Sequence, residues 1–368
     1  MRRLAVSILL TALLLSGCGA QMSPDEAQES IQVLAMDTAM LITTYGERSP
    51  AAAYACEDVI RDLEAKLSRT DPDSEVSRLN TSAGEPVEVG EDLGTLLELA
   101  KYYHGSTGGA FNIAVAPVVS AWGFTEDSFR VPSQAELDRL LPLVDSYQVS
   151  VTPSLDSNGD GPKAMVTLGP GQAIDLGGIA KGYAADKIVK VLQEHDVPRA
   201  NINLGGNVLA YGDRPDGTPW RVGIQDPARA DEQNAFAGVL ALTDSFAVTS
   251  GGYQRYFEEG GKRYHHIIDP STGYPADSGL TSVTVVAGLG GGDGFPGTMC
   301  DAYSTALFIM GEEQALAFWR DETQRGEQGC PFELVLVTED GRVVVTPSLA
   351  DRFTLEETSG YTLEVVPS

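Results

Sequence analysis

Strand and helix signals intermix along residues 31–368 without the regular alternation that a doubly wound parallel sheet requires. Residues 31–45 alternate as one strand does, and Ser49-Pro50 opens a helix to about Ser68, with Ser49 as its cap and proline at its first position. Asp71-Pro72-Asp73-Ser74 is a turn, and residues 92–103 form a second helix ended by Gly105. Short strands are expected over 145–176, a helix over 179–194 and mainly strands over 199–287. Glycines between 288 and 297 form a loop into a helix over 298–310, and two or three strands close the chain. There is no repeat, linker or shift of composition after residue 31. The pattern implies a single α+β domain, and 42% hydrophobic residues in a chain of 368 are ample for its core.

The first residues read as an export signal. Arg2 and Arg3 precede an apolar run over 4–15 that is too short to span a bilayer. Leu15-Ser16-Gly17-Cys18 then resembles a bacterial lipobox. In that reading residues 1–17 are removed, Cys18 is lipidated, and residues 18–30 form a polar tether ahead of a catalytic domain over 31–368. The protein is thus expected on the extracytoplasmic face of the cell membrane, held by its lipid; plain secretion with an incidental Cys18 is the alternative. Without Arg2 and Arg3 the chain carries 23 basic and 52 acidic residues, a net charge of −29. Nucleic acid and anionic headgroups are therefore poor partners. A pyrophosphate substrate would be repelled too, unless a metal or a local dipole reversed the field where it binds. Cys56, Cys300 and Cys330 remain after Cys18, an odd number with no metal-ligand spacing, and a Cys300–Cys330 disulfide stays open.

Five segments carry candidate chemistry. Asp156-Ser157-Asn158-Gly159-Asp160-Gly161 matches the first half of a calcium loop, but Thr167 stands where the bidentate glutamate is needed, so a solvated turn is the better reading. Leu204-Gly205-Gly206-Asn207 allows close approach of a flat ligand or a phosphate, and equally marks a bulge. Asp175-Leu176-Gly177-Gly178 turns a strand into a helix whose exposed first amides, with Lys181, suit an anion. A plain strand-to-helix connection explains the same residues. Asp301 and Thr305 lie four apart on one helix face, where a carboxylate and a hydroxyl can hold a magnesium ion; an N-terminal carboxylate with a back-bonding threonine is the plainer account. His265 and His266 are neighbours on a strand and face opposite ways, so at most one points into a site, and zinc is not expected from the pair. One of them could act as a base or hold a phosphate, and a polar edge-strand residue is the plainer account.

Together these segments resemble the ApbE family of FAD:protein FMN transferases, over about Val33 to Gly311. The resemblance also includes Met36-Asp37-Thr38, Leu67-Ser68-Arg69, Asp73 to Asn80, Phe111-Asn112-Ile113, Pro117-Val118-Val119, Trp122-Gly123-Phe124 and Thr249 to Tyr253. It implies mixed, largely antiparallel strands with flanking helices. It also implies Mg²⁺, FAD as substrate, and transfer of FMN through a phosphoester to a threonine or serine of an acceptor flavoprotein, with release of AMP. The acceptor class it implies is a membrane redox-pump subunit or an extracellular FMN-carrying reductase. Metal ligands would be Asp301, Thr305 and the carbonyls of Gly178 and Ser304. FAD contacts would come from Met36, Ala110, Phe111, Asn112, Asp175, Lys181, His266, Ile267 and Asp269. His266 would be the base. An FAD pyrophosphatase or a non-catalytic flavin-binding lipoprotein are the rival functions. Two departures stand out: Asp37 follows the methionine where the family usually has glycine, and Ala116-Pro117 replaces a usual Gly-Pro.

Overall fold

The structure is a computed structural model that describes residues 27–125, 128–154, 162–291, 294–325 and 331–367. Cys18 with the signal, most of the tether, the acidic loop 156–161 and Cys330 lie outside the described residues.

The first half of the chain contributes β1 (Gln28–Ala35), β2 (Thr38–Tyr45), α1 (Ser49–Leu67), α2 (Glu75–Asn80), β3 (Val87–Gly90), α3 (Glu91–Ser106), α4 (Ala116–Ala121) and α5 (Gln134–Leu140). Next come β4 (Ser150–Ser154), β5 (Lys163–Thr167), α6 (Ala180–Glu194), β6 (Arg199–Asn203), β7 (Asn207–Tyr211) and β8 (Trp220–Gln225). They are followed by β9 (Phe236–Leu242), β10 (Ser245–Gly251), β11 (Tyr256–Glu259), β12 (Lys262–His265) and β13 (Leu280–Gly288). The last are α7 (Pro296–Gln324), β14 (Glu333–Thr338), β15 (Arg342–Val345), β16 (Phe353–Leu355) and β17 (Thr362–Val365).

Nine strands make the main sheet, in the order β1-β2-β6-β7-β10-β13-β14-β15-β17. Every neighbouring pair is antiparallel except β15 with β17. The expected α+β class, with largely antiparallel strands, is what the chain forms. Its central strands are apolar on both faces because both faces are covered. In β14, Leu334 and Leu336 face the layer of α1, α6 and α7, whereas Val335 and Val337 face a smaller sheet of order β16-β9-β8. Trp220, Val222 and Leu240 fill that second interface. A third apolar cluster joins Trp122 and Phe124 to Phe257 and Tyr264 of the β11–β12 hairpin.

Several local expectations change. Residues 31–45 are two strands, not one: Met36 and Asp37 take φ of 48° and 58° and close a hairpin. Two consecutive positive φ values are what a tight hairpin turn demands. The glycine usual after the methionine would adopt them without the strain an L-residue bears, and aspartate is among the side chains that tolerate them best. The sheet begins at Gln28, three residues inside the expected tether. Ser49 is not the cap of α1 but its buried first residue; Arg48 precedes it and makes no side-chain cap bond. The helix over 298–310 continues to Gln324 across a kink at Gly311, whose φ of 78° suits glycine alone. Four strands, not two or three, follow it among the described residues.

Candidate active site

One cleft of about 1590 Å³ opens at the ends of the central strands, well above the volume of an ordinary small-molecule pocket and of a size for a dinucleotide. The β1–β2 turn, the loop after α3, the segment into α6, the loop after β12 and the start of α7 all reach it.

Helices α6 and α7 cap each other. Asp186 of α6 accepts hydrogen bonds from the Gly297 and Thr298 amides, both at 2.8 Å, and from the Thr298 hydroxyl at 2.6 Å. In return Oδ2 of Asp301, on α7, accepts the Gly182 amide of α6 at 2.8 Å. Each carboxylate thus satisfies amides that a helix leaves unpaired in its first turn. The crossing is close because Gly182 and Gly297 meet: a Cβ on Gly182 would stand 2.3 Å from the Gly297 carbonyl oxygen. This fixes Asp301, buried at 4% exposure, at the floor of the cleft.

Thr305 lies one turn further along α7, its Oγ1 3.3 Å from Ser250 Oγ. A Cβ on Gly178 would be 3.4 Å from that Oγ1, so the bare glycine backbone borders the threonine. Ser304 is fully buried behind them, its hydroxyl donating to the Asp301 carbonyl at 2.9 Å, and it does not line the cleft. Among the described residues no cluster of three or more His, Cys, Asp or Glu could hold a metal. The oxygen set here suits a hard cation of the magnesium type, which takes one or two carboxylates and fills its shell from water and phosphate. Asp301, Thr305 and Gly178 fit that demand.

The amides before α6 differ from expectation. Those of Gly177, Ile179, Ala180, Gly182 and Tyr183 already donate within the chain, to Asp175, Leu176, Leu176, Asp301 and Ile179. That leaves the amides of Gly178 and Lys181 as the donors this segment can still offer an anion, and most of the positive charge must come from side chains. Lys181 lines the cleft, its ammonium on the Gly177 carbonyl at 3.2 Å with no carboxylate partner among the described residues. Arg69 was legible only as part of a family segment, yet it lines the cleft and pairs with Asp175 at 2.5 Å and with Ser120 at 2.7 Å. Asp175 thereby closes the wall between α1 and α6. Met36 is held by its amide on Glu64 at 2.7 Å, another residue that sequence spacing did not single out.

His265 and His266 do part ways. His265 ends β12, donates from Nε2 to the Ala276 carbonyl at 3.0 Å and lies against Phe308, outside the cleft. His266 follows the strand and lines the cleft; its Nδ1 is 3.1 Å from the Arg255 carbonyl. A carbonyl only accepts, so Nδ1 carries the proton and Nε2 keeps its lone pair. Burial pushes the ring down to about 4, against a smaller upward pull from that hydrogen bond, so His266 is neutral at pH 7. Trp122 braces the loop beyond it by donating to the Gly273 carbonyl at 2.7 Å. Ala110, Phe111, Asn112 and Ile267 also line the cleft. Asp269 does not; it turns its carboxylate onto Ser271 at 2.8 Å and 2.7 Å, beside a smaller hollow.

The profile of the ApbE family matches residues 36–327. The FAD:protein FMN transferase of Treponema pallidum is 36% identical over 332 residues, which cover 87% of each chain. That of Klebsiella pneumoniae is 33% identical over 338 residues, 92% of this chain and 97% of the relative. The crystal structure of the ApbE protein of Thermotoga maritima superposes with a TM-score of 0.76 at 32% identity, over 89% of this chain and 99% of that one. The apo flavinyl transferase ApbE of Pseudomonas stutzeri gives 0.72 at 25% identity, over 89% and 97%. With the profile spanning most of the sequence and relatives above 30% identity along nearly all of it, the chain belongs to the ApbE family.

Proposed function

We propose that this chain moves the FMN half of FAD onto a threonine or serine hydroxyl of an acceptor flavoprotein, with Mg²⁺, and releases AMP. Its curated relatives are flavin transferases, so the enzyme class is transferase. The observation that carries the finer reading is one cleft in which a hard-oxygen cluster, an unpaired ammonium and a neutral histidine face the same space.

Asp301, Thr305 and the Gly178 carbonyl would hold the metal, which supplies Lewis-acid stabilisation to the pyrophosphate oxygens. Lys181 offers its ammonium to the same oxygens and to the leaving AMP. The acceptor oxygen bonds to the FMN phosphorus, the bond from that phosphorus to the bridging oxygen breaks, and the bridging oxygen leaves with AMP. Nε2 of His266 takes the hydroxyl proton. Incubation with FAD, Mg²⁺ and a threonine-bearing flavoprotein domain tests the reading by mass spectrometry: free FMN with no labelled protein would mean that water is the acceptor.

His266→Gln should slow transfer about 100-fold or more while FAD affinity changes little; equal loss of both reduces His266 to a binding residue. The acid limb of wild-type transfer should then lie near pH 4 and not near 6.5, because the folded ring resists protonation down to about 4. Stability follows the same sign. A depressed folded pKa adds stability that is full above about 6.5 and is lost as pH falls towards 4, a loss that the glutamine variant should not share.

We further propose that Cys18 anchors the enzyme on the extracytoplasmic face of the membrane, on the strength of Arg2-Arg3, the apolar run and Leu15-Ser16-Gly17-Cys18. Cys18→Ser should shift the protein from the detergent phase to the aqueous phase on partition; no shift removes the anchor.

A further inference from the structure

We infer that the acceptor polypeptide enters as an extended strand along the free edge of β8, which forms one wall of the active cleft. This rests on the transferase reading above and adds where the protein substrate binds.

Val222, Gly223, Ile224 and Gln225 all line the cleft. Successive side chains of a strand point to opposite faces. Four in a row can border one cleft only if it runs along the strand's edge, not over a face. Val222 and Ile224 belong to the core between the sheets, whereas Gly223 is exposed. The order β16-β9-β8 leaves β8 with one strand neighbour, so its outer N–H and C=O groups have no strand partner among the described residues. An open edge of this kind is a hazard that proteins normally cover or blunt. Here it faces the reaction space.

The opposite side of this lobe comes from β7 and β10. Ala247 and Thr249 alternate on one face of β10 and pave its floor, and Ser250 links the floor to Thr305 at 3.3 Å. Asn207, at the start of β7, is 3% exposed and lines the cleft, yet its Nδ2 has no hydrogen-bond partner among the described residues. A buried amide donor left without an acceptor is costly unless something brings one.

The chemistry of the lobe selects its occupant. The residues that resemblance assigns to FAD come from the β1–β2 turn, the loop after α3, the start of α6 and the loop after β12, none of them from β8 or β9. A strand edge offers donors and acceptors at regular spacing, which a dinucleotide cannot match and an extended peptide can. Asn207 Nδ2 adds a donor for a peptide carbonyl on the other side. The acceptor hydroxyl would then travel along β10 towards Asp301 and Thr305.

The test uses the full chain with FAD, Mg²⁺ and short synthetic peptides that carry one central threonine, made in three forms: unmodified, or N-methylated at one or the other alternate set of flanking amides. The unmodified peptide should be flavinylated and should slow amide hydrogen exchange in β8. One methylated form should react about tenfold more slowly, since it loses edge hydrogen bonds, and the other should react normally. Equal labelling of all three forms, or unchanged exchange in β8, overturns the pairing. Failure of every peptide beside successful labelling of a threonine-bearing flavoprotein domain also overturns it. If neither peptide nor domain is labelled while FMN appears in solution, the transferase reading falls and the strand site falls with it.

Discussion

Asp301→Ala should abolish metal-dependent turnover and also lower the melting temperature, two losses with separate causes. The carboxylate is the one formal charge in the proposed metal site, and losing a Lewis acid from phosphoryl transfer costs roughly 3 kcal/mol or more, about 100-fold in rate. Its Oδ2 is also the acceptor for the buried Gly182 amide. Alanine leaves that amide without a partner, at about 1–3 kcal/mol of stability. Asp301→Asn divides the two roles, because an amide oxygen still accepts from Gly182 but carries no charge. We expect the asparagine variant to melt close to wild type and to bind FAD, yet to show no response of AMP release to added Mg²⁺. AMP release that rises with Mg²⁺ as in wild type would remove Asp301 from the metal site.

That double role marks the limit of sequence reasoning. Asp301 and Thr305 were legible because one helical turn separates them, and period alone places them on one face. The class of the fold was legible for a similar reason, since the order of local signals excluded a parallel α/β pattern. The capping of α6 by Asp301 and of α7 by Asp186 was not, because each carboxylate meets amides more than a hundred residues away in the chain. The turn at Met36-Asp37 was missed because neither residue is glycine and nothing else in residues 31–45 marks a turn. The segment into α6 did bring Lys181 to the cleft, but most of its amides proved engaged, and only the closed backbone geometry reveals that. The β8 edge was invisible in sequence, since the alternation of Trp220, Val222 and Ile224 marks one buried face but not which strands lie beside it; strand order alone shows the free edge.

Gly182→Ala should destabilise the protein, against the usual sign of such a change. In a helix interior the substitution normally gains up to about 1 kcal/mol, because alanine is the better helix former. Here the new methyl would lie 2.3 Å from the Gly297 oxygen, 2.7 Å from its carbonyl carbon and 2.8 Å from Asp301 Cβ. The first two are backbone atoms of the facing helix and cannot rotate away. Helix α7 would have to retreat from α6, and overpacking of this kind costs roughly 1–3 kcal/mol. Retreat also lengthens the Asp301 to Gly182 bond and carries Asp301 and Thr305 away from Gly178, so ligands drawn from two elements would no longer converge. Displacements near an ångström at a reacting centre cost up to about 100-fold in rate. The expected result is a lower melting temperature together with a higher Mg²⁺ concentration for half-maximal transfer. A variant that melts above wild type with an unchanged Mg²⁺ requirement would show that the crossing of α6 and α7 has slack, and that the metal ligands do not depend on it.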